Sequence, residues 1–291
     1  MHQINYLLVV IPVLIWSSMG ILVRLSSLSG DVIFFFAALI ASILIGLELA
    51  RRGRLIQFFN KRGYWILALL GFCAVLNNVS YFLAYQLTTI ANAVFVHYLA
   101  PALVVIAAPL ILGEKTQKKI WLSVLIALAG LLVLLWPVGL DLSNDNLTGV
   151  GLAALSAVGY ALGIILTKKA HAHFESIEIV FGSMIMCVLL LFPYVIYKSP
   201  DVQLNDALIF VVLGIFYQGF AVLLFVKALK KLPAQNVSVI TYLEPVGAAV
   251  LAALCLGELP EMYTLGGGSL ILCSCLLTVF LKNSRVTRKV H

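Results

Sequence analysis

Tyr98-Leu99-Ala100-Pro101, followed eleven residues on by Leu112-Gly113-Glu114, is answered by Tyr242-Leu243-Glu244-Pro245 and Leu256-Gly257-Glu258 at a constant offset of 144 residues. The same offset carries Asn92 onto Asn236, Trp16 onto Tyr160 and Arg24 onto Lys168. Two units of 144 account for nearly all of the 291 residues. The chain therefore reads as a duplication, with repeats at 1–144 and 145–291.

Composition says where those repeats reside. Sixty-three per cent of the residues are hydrophobic and 11% charged, against about 25% charged for an average soluble domain. A bilayer-spanning helix uses about 20 mostly apolar residues, so the chain holds material for some ten spans and little else. A soluble enzyme, a secreted module and a disordered chain are excluded. Apolar windows of helical length predict spans near 4–25, 31–50, 64–84, 91–112 and 118–136, then 148–168, 177–197, 206–229, 235–256 and 263–281. The strict alternation of barrel strands is absent, so the expectation is an all-α membrane protein of ten transmembrane helices.

The net charge of +7 is read as the basic bias of cytoplasmic loops, and no nucleic-acid partner is expected. Placing both termini in the cytoplasm puts 17 of the 19 Lys and Arg residues on that side, leaving Arg24 and Lys198 opposite. The first twenty residues contain no Lys or Arg and read as a retained span, not a cleaved signal. The five cysteines lie in apolar stretches without a C-x-x-C spacing, so packing is expected of them; no metal site and no cofactor are expected.

Five spans per repeat is an odd number, so the second repeat must cross the membrane in the opposite sense to the first. The charges agree: the loop after Glu114 is basic and its counterpart after Glu258 is acidic. Inverted repeats supply two related half-structures that exchange roles as a central site opens to one side and then the other. Transport of a small-molecule substrate through the lipid bilayer by alternating access fits this pattern best.

The run Lys227–Val246, KALKKLPAQNVSVITYLEPV, ending in Leu256-Gly-Glu, resembles the second half of the EamA proteins of the drug/metabolite transporter superfamily. Tyr98–Pro101 through Glu114 is similar to their first repeat. The resemblance covers essentially the whole chain. It implies a five-plus-five arrangement in a bacterial inner membrane and a secondary carrier, often an exporter of amino acids or related metabolites. The nearest structural type it implies is the YddG-like aromatic amino acid exporters.

Polar groups deep in a span are the informative positions, because exposing a carboxylate there costs about 2.5–3.5 kcal/mol. Glu244 is the tenth residue of its predicted span and is the candidate for substrate or proton exchange. Thr241 shares its helix face. His97, the repeat counterpart of Thr241, lies about 9 Å into its own span. Asn77 and Tyr81 fall on one stripe with Tyr85, and Trp16, Tyr160, Tyr217 and Gln218 add aromatic and polar groups from three further helices. These nine side chains are expected to surround one cavity suited to an amphipathic or aromatic solute. Pro101 and Pro245 interrupt the backbone ladder of matched helices and are read as hinges, with Gly20 and Gly163 as small partners. Arg24 and Lys168 are expected to snorkel, and Glu114 and Glu258 to order helix ends.

Two alternatives remain at this level. A drug or organic-cation exporter would share the fold. An intramembrane enzyme would have only His97 and Glu244, since H-E-x-x-H and G-x-S-x-G are absent. No Walker A motif is present, so transport is driven by the solute gradient or by a coupled ion, a proton being the candidate. Either a monomer or a homodimer is compatible with the sequence.

Overall fold

A computed structural model describes residues 4–23, 25–137, 139–141, 143, 146–256 and 261–280. Arg24, Gly257, Glu258 and the basic tail after 280 lie outside the described residues. Among the described residues, ten helices are long and apolar enough to cross a membrane. In the first repeat they are α1 (Ile4–Val23), α2 (Gly30–Arg51), α3 (Tyr64–Leu87), α4 (Ile90–Leu112) and α5 (Lys118–Leu135). In the second they are α6 (Leu147–Ala170), α7 (Ser176–Lys198), α8 (Leu204–Lys231), α9 (Ala234–Cys255) and α10 (Met262–Val279). The described residues contain no strand.

Large apolar side chains such as Leu14, Leu47, Leu110, Leu125 and Leu254 are exposed, as expected where lipid is the solvent. The interior holds large side chains such as Leu49, Leu131 and Tyr242 together with many small ones: Ala38, Ala41, Ala84, Ala100, Ala108, Ala127 and Ala153 are fully enclosed. Small side chains let helix backbones approach closely, which supplies packing where hydrophobic burial offers little between membrane helices.

The helices pair as a pseudo-twofold axis requires. α2 packs on its equivalent α7, α4 on α9 and α5 on α10, while α1 lies against α8 and α3 against α6 as an exchanged pair. The α5–α10 crossing shows the rule at atomic detail. A Cβ built on Gly130 would stand 2.7 Å from the Gly267 carbonyl, and the Ser274 hydroxyl donates to the Ser123 carbonyl at 2.6 Å. Gly267 is the repeat equivalent of Ser123 and Ser274 that of Gly130, so each contact is the symmetry image of the other.

Four spans are irregular. α1 breaks at Ser18, α4 between His97 and Ala100, and α9 between Ile240 and Leu243. α8 contains a π-helical stretch, Leu213–Ala221. Pro101 and Pro245 explain two of the breaks. Each lies in the first turn of a second half-helix, where a missing N–H is tolerated, and each denies a helical donor to the carbonyl four residues earlier, that of His97 or Thr241. Pro12, Pro109 and Pro193 sit inside helices that continue past them.

The basic loops all meet at one end of the bundle. There Arg54 and Lys61, on the connection from α2 to α3, reach the fully buried Glu178 near the start of α7, at 3.2 and 2.5 Å. Arg54 also pairs with Glu175 at 2.5 Å, and this hydrogen bond holds the Glu175 carboxyl below the usual carboxylate range. Glu175 and Glu178 cap α7 reciprocally.

Candidate functional site

The break in α4 turns His97 onto α3 and α6. Its ring stacks on Tyr81 with centroids 4.1 Å apart, and Tyr160 lies 5.6 Å away. Nδ1 of His97 is 2.7 Å from the hydroxyl of Ser156, one turn before Tyr160 on α6. Tyr85 joins Tyr81 at 4.6 Å. Asn77 sits farther along the α3 stripe against Gly159 of α6, and its Oδ1 is buried with no hydrogen-bond partner among the described residues.

The break in α9 faces the same cluster. Tyr98 hydrogen-bonds through its phenol to the Glu244 carboxyl, while the hydroxyl of its repeat equivalent, Tyr242, donates to the Tyr98 carbonyl at 2.8 Å. The two discontinuities are thus tied to each other directly. A strict twofold would give Tyr98 the Tyr242 carbonyl; Glu244, whose counterpart is Ala100, takes that hydroxyl instead. Tyr160 shares a hydrogen bond with Thr241. The Thr241 hydroxyl donates to the Ser238 carbonyl at 2.7 Å. Tyr81, Tyr85, Tyr98 and Tyr160 all lie within electrostatic reach of Glu244.

Trp16 and Tyr217 form a neighbouring group. The Tyr217 and Ser18 hydroxyls are hydrogen-bonded, the Trp16 indole N–H reaches the Tyr217 carbonyl at 3.5 Å, and Trp16 packs on Phe225 at 5.2 Å. Tyr217 is mostly enclosed by α2 and α8, and Gln218 follows it on the π-helical stretch. The Ser17 hydroxyl, 2.9 Å from the Glu244 carbonyl oxygen, connects this group to α9.

The predicted side chains therefore fall into one aromatic and polar cluster (Tyr81, His97, Tyr160, Thr241, Glu244) and an adjoining pair, with Asn77 at its margin. Gly20 and Gly163 both face open space where a side chain would stand; Gly163 lies in an unbroken helix. Lys168 does not simply snorkel. It bonds the Leu232 carbonyl and Glu114. Arg24 and Glu258 lie outside the described residues. Ser156 and the Ser17-Ser18 break were not singled out in the sequence and Tyr98 stood there only as a repeat marker; the serine pair carried a signal, as a recurrent cause of kinks.

The EamA-like transporter family matches residues 3–136 and again residues 147–280. This chain belongs to the EamA-like transporter family. The two matches begin and end 144 residues apart, the spacing of the internal repeat. The uncharacterized transporter YxxF of Bacillus subtilis (strain 168) is 26% identical over 280 residues, covering 95% of this chain and 89% of its own. The pseudopaline exporter CntI of Pseudomonas aeruginosa is 27% identical over 274 residues, 93% of this chain and 94% of its own. The threonine/homoserine exporter RhtA of Salmonella typhimurium is 27% identical over 188 residues, 62% of this chain and 59% of its own. A crystal structure at 21% identity superposes with a TM-score of 0.84 over 97% of this chain and all of that one, so the fold is shared. The family and these relatives are transporters, and the protein is a multi-pass membrane transporter, not an enzyme.

Proposed function

We propose that this EamA-family protein exports an amino acid, aromatic ones included, or a related amphipathic metabolite across a bacterial inner membrane by alternating access. The observation that carries this reading is Glu244 at the break of α9, hydrogen-bonded by Tyr98 and flanked by the Tyr81–His97 stack and Tyr160. Among the described residues no Lys or Arg pairs with Glu244, so its carboxylate is available to a cationic amino group or a proton. The tyrosine faces suit the apolar body of a solute and favour a nearby cation. The second half of α4 starts at Ala100 in the same region, and its N-terminal dipole favours the solute's carboxylate. The threonine/homoserine exporter among the relatives carries amino acids by name.

The second reading, export of an organic cation, rests on the same carboxylate and rings and needs no carboxylate on the solute. Counterflow in proteoliposomes separates the two. Labelled aromatic or aliphatic amino acids should exchange, and quaternary ammonium compounds should neither exchange nor compete. Exchange of the ammonium compounds alone would replace the first reading by the second.

A further inference from the structure

The three helices that present His97, Tyr160 and Glu244 meet a second time, nearer the basic end of the bundle. α4 ends through Gly113 in the left-handed region, φ 66°, and Glu114 turns inward with 7% of its surface exposed. Both its carboxylate oxygens lie 3.0 Å from the backbone N–H of Ala234, the first residue of α9. Pro233 precedes Ala234 and supplies no side-chain cap, so this helix start takes its cap from another helix. Lys168, close to the end of α6, places Nζ 3.0 Å from Glu114 Oε1 and also donates to the Leu232 carbonyl.

We propose that Glu114, Lys168 and the start of α9 form a latch that seals the central cluster from the basic end and breaks whenever the carrier opens there. The latch presupposes the alternating-access reading above. Lys168 stands roughly 12 Å along α6 from Tyr160, and Ala234 roughly 10 Å along α9 from Thr241. Site and latch therefore share their walls, about two turns apart. Gly163 lies between them on α6, beside open space. A solute leaving toward the basic end has to part the start of α9 from the end of α4. That movement uncaps the helix and separates a buried carboxylate from its cation, which favours the closed arrangement until substrate or proton shifts the balance.

Gly163→Cys provides the reporter, in a chain whose exposed Cys255 and Cys273 are replaced by Ser. A membrane-impermeant maleimide is applied to the side of the basic loops in oriented vesicles without substrate. Glu114→Gln keeps an acceptor for Ala234 while removing the charge, and Lys168→Gln removes the cation. Labelling should rise roughly fivefold or more in each. Unchanged labelling in both, with normal thermal melting, overturns the latch. Lys168→Met keeps the apolar stem and takes the place of Lys168→Gln if that variant does not fold. The readout needs no substrate, so its failure leaves the proposed cargo standing; failed counterflow with raised labelling counts against the cargo and not the latch.

Discussion

Glu244 is where chemistry concentrates at the scale of a residue, because it combines a carboxyl group, a single phenolic donor and no cationic partner among the described residues. Gln nearly matches its shape and can still accept from Tyr98, but it cannot bind or release a proton and cannot pair with an ammonium group. Glu244→Gln should therefore fold normally and weaken binding of an amine-bearing substrate by about tenfold or more, the scale of a charge-assisted hydrogen bond. Its transport rate should also lose pH dependence. Binding by thermal shift and counterflow across a pH series would test both, and an unchanged profile with unchanged affinity would reduce Glu244 to a structural partner of Tyr98. His97, Thr241, Tyr81 and Tyr160 were legible in the sequence for the same reason as Glu244: polar atoms in an apolar span need partners. Ser156 was not, because a serine is at home in any membrane helix and only packing shows whom it faces. Tyr98 was visible as a repeat marker, yet its bond to Glu244 depends on the two breaks meeting.

At the scale of the element, proline announced the breaks in α4 and α9, whereas nothing comparable marks the π-helical stretch Leu213–Ala221. Gly214 and Gly219 lie within it and weaken a helix, but glycine alone does not announce a wide turn. The α5–α10 crossing yields a direct expectation. A Cβ on Gly267 would meet the Gly130 carbonyl at 2.4 Å, and backbone cannot swing aside as a side chain can. Gly267→Val should lower stability by about 1–3 kcal/mol, read as a drop in detergent melting temperature. The connection before α3 gives an expectation in pH. Arg54 depresses the Glu175 carboxyl, so the charged form stabilises the fold above the ordinary carboxylate value near ~4.3. That contribution disappears as pH falls through the depressed value. Glu175→Gln keeps the α7 cap but not the charge. Its stability deficit, less than about 1 kcal/mol for an exposed pair, should be constant from pH 7 to 5 and vanish in stronger acid.

For the whole molecule, the ten spans were legible to within a few residues, because span length and hydropathy are imposed by the bilayer and not by partners. The helix pairing was not legible: membrane helices have little face-to-face hydropathy contrast, and the choice of α6 for α3, or α10 for α5, rests on small-residue shape. Sidedness is set by charge, and it gives an expectation for intact cells. Cysteines at Gln57 and Lys231 should react with an impermeant reagent only from the cytoplasm, and one at Ser143 only from outside. Reaction of all three from one side would overturn the ten-span topology.

The pseudo-twofold pairing has a consequence for how the protein can be made. Every large helix contact that crosses the axis joins one repeat to the other: α2 with α7, α3 with α6, α5 with α10. The covalent join between the repeats is only the stretch between Leu135 and Leu147. A gene split there should give two polypeptides that are each incomplete, since neither repeat alone covers its inner faces. Co-expressed, they should find one another in the bilayer and purify as a one-to-one complex through a tag on either half. Expressed singly, each half should be degraded or should pair with a second copy of itself.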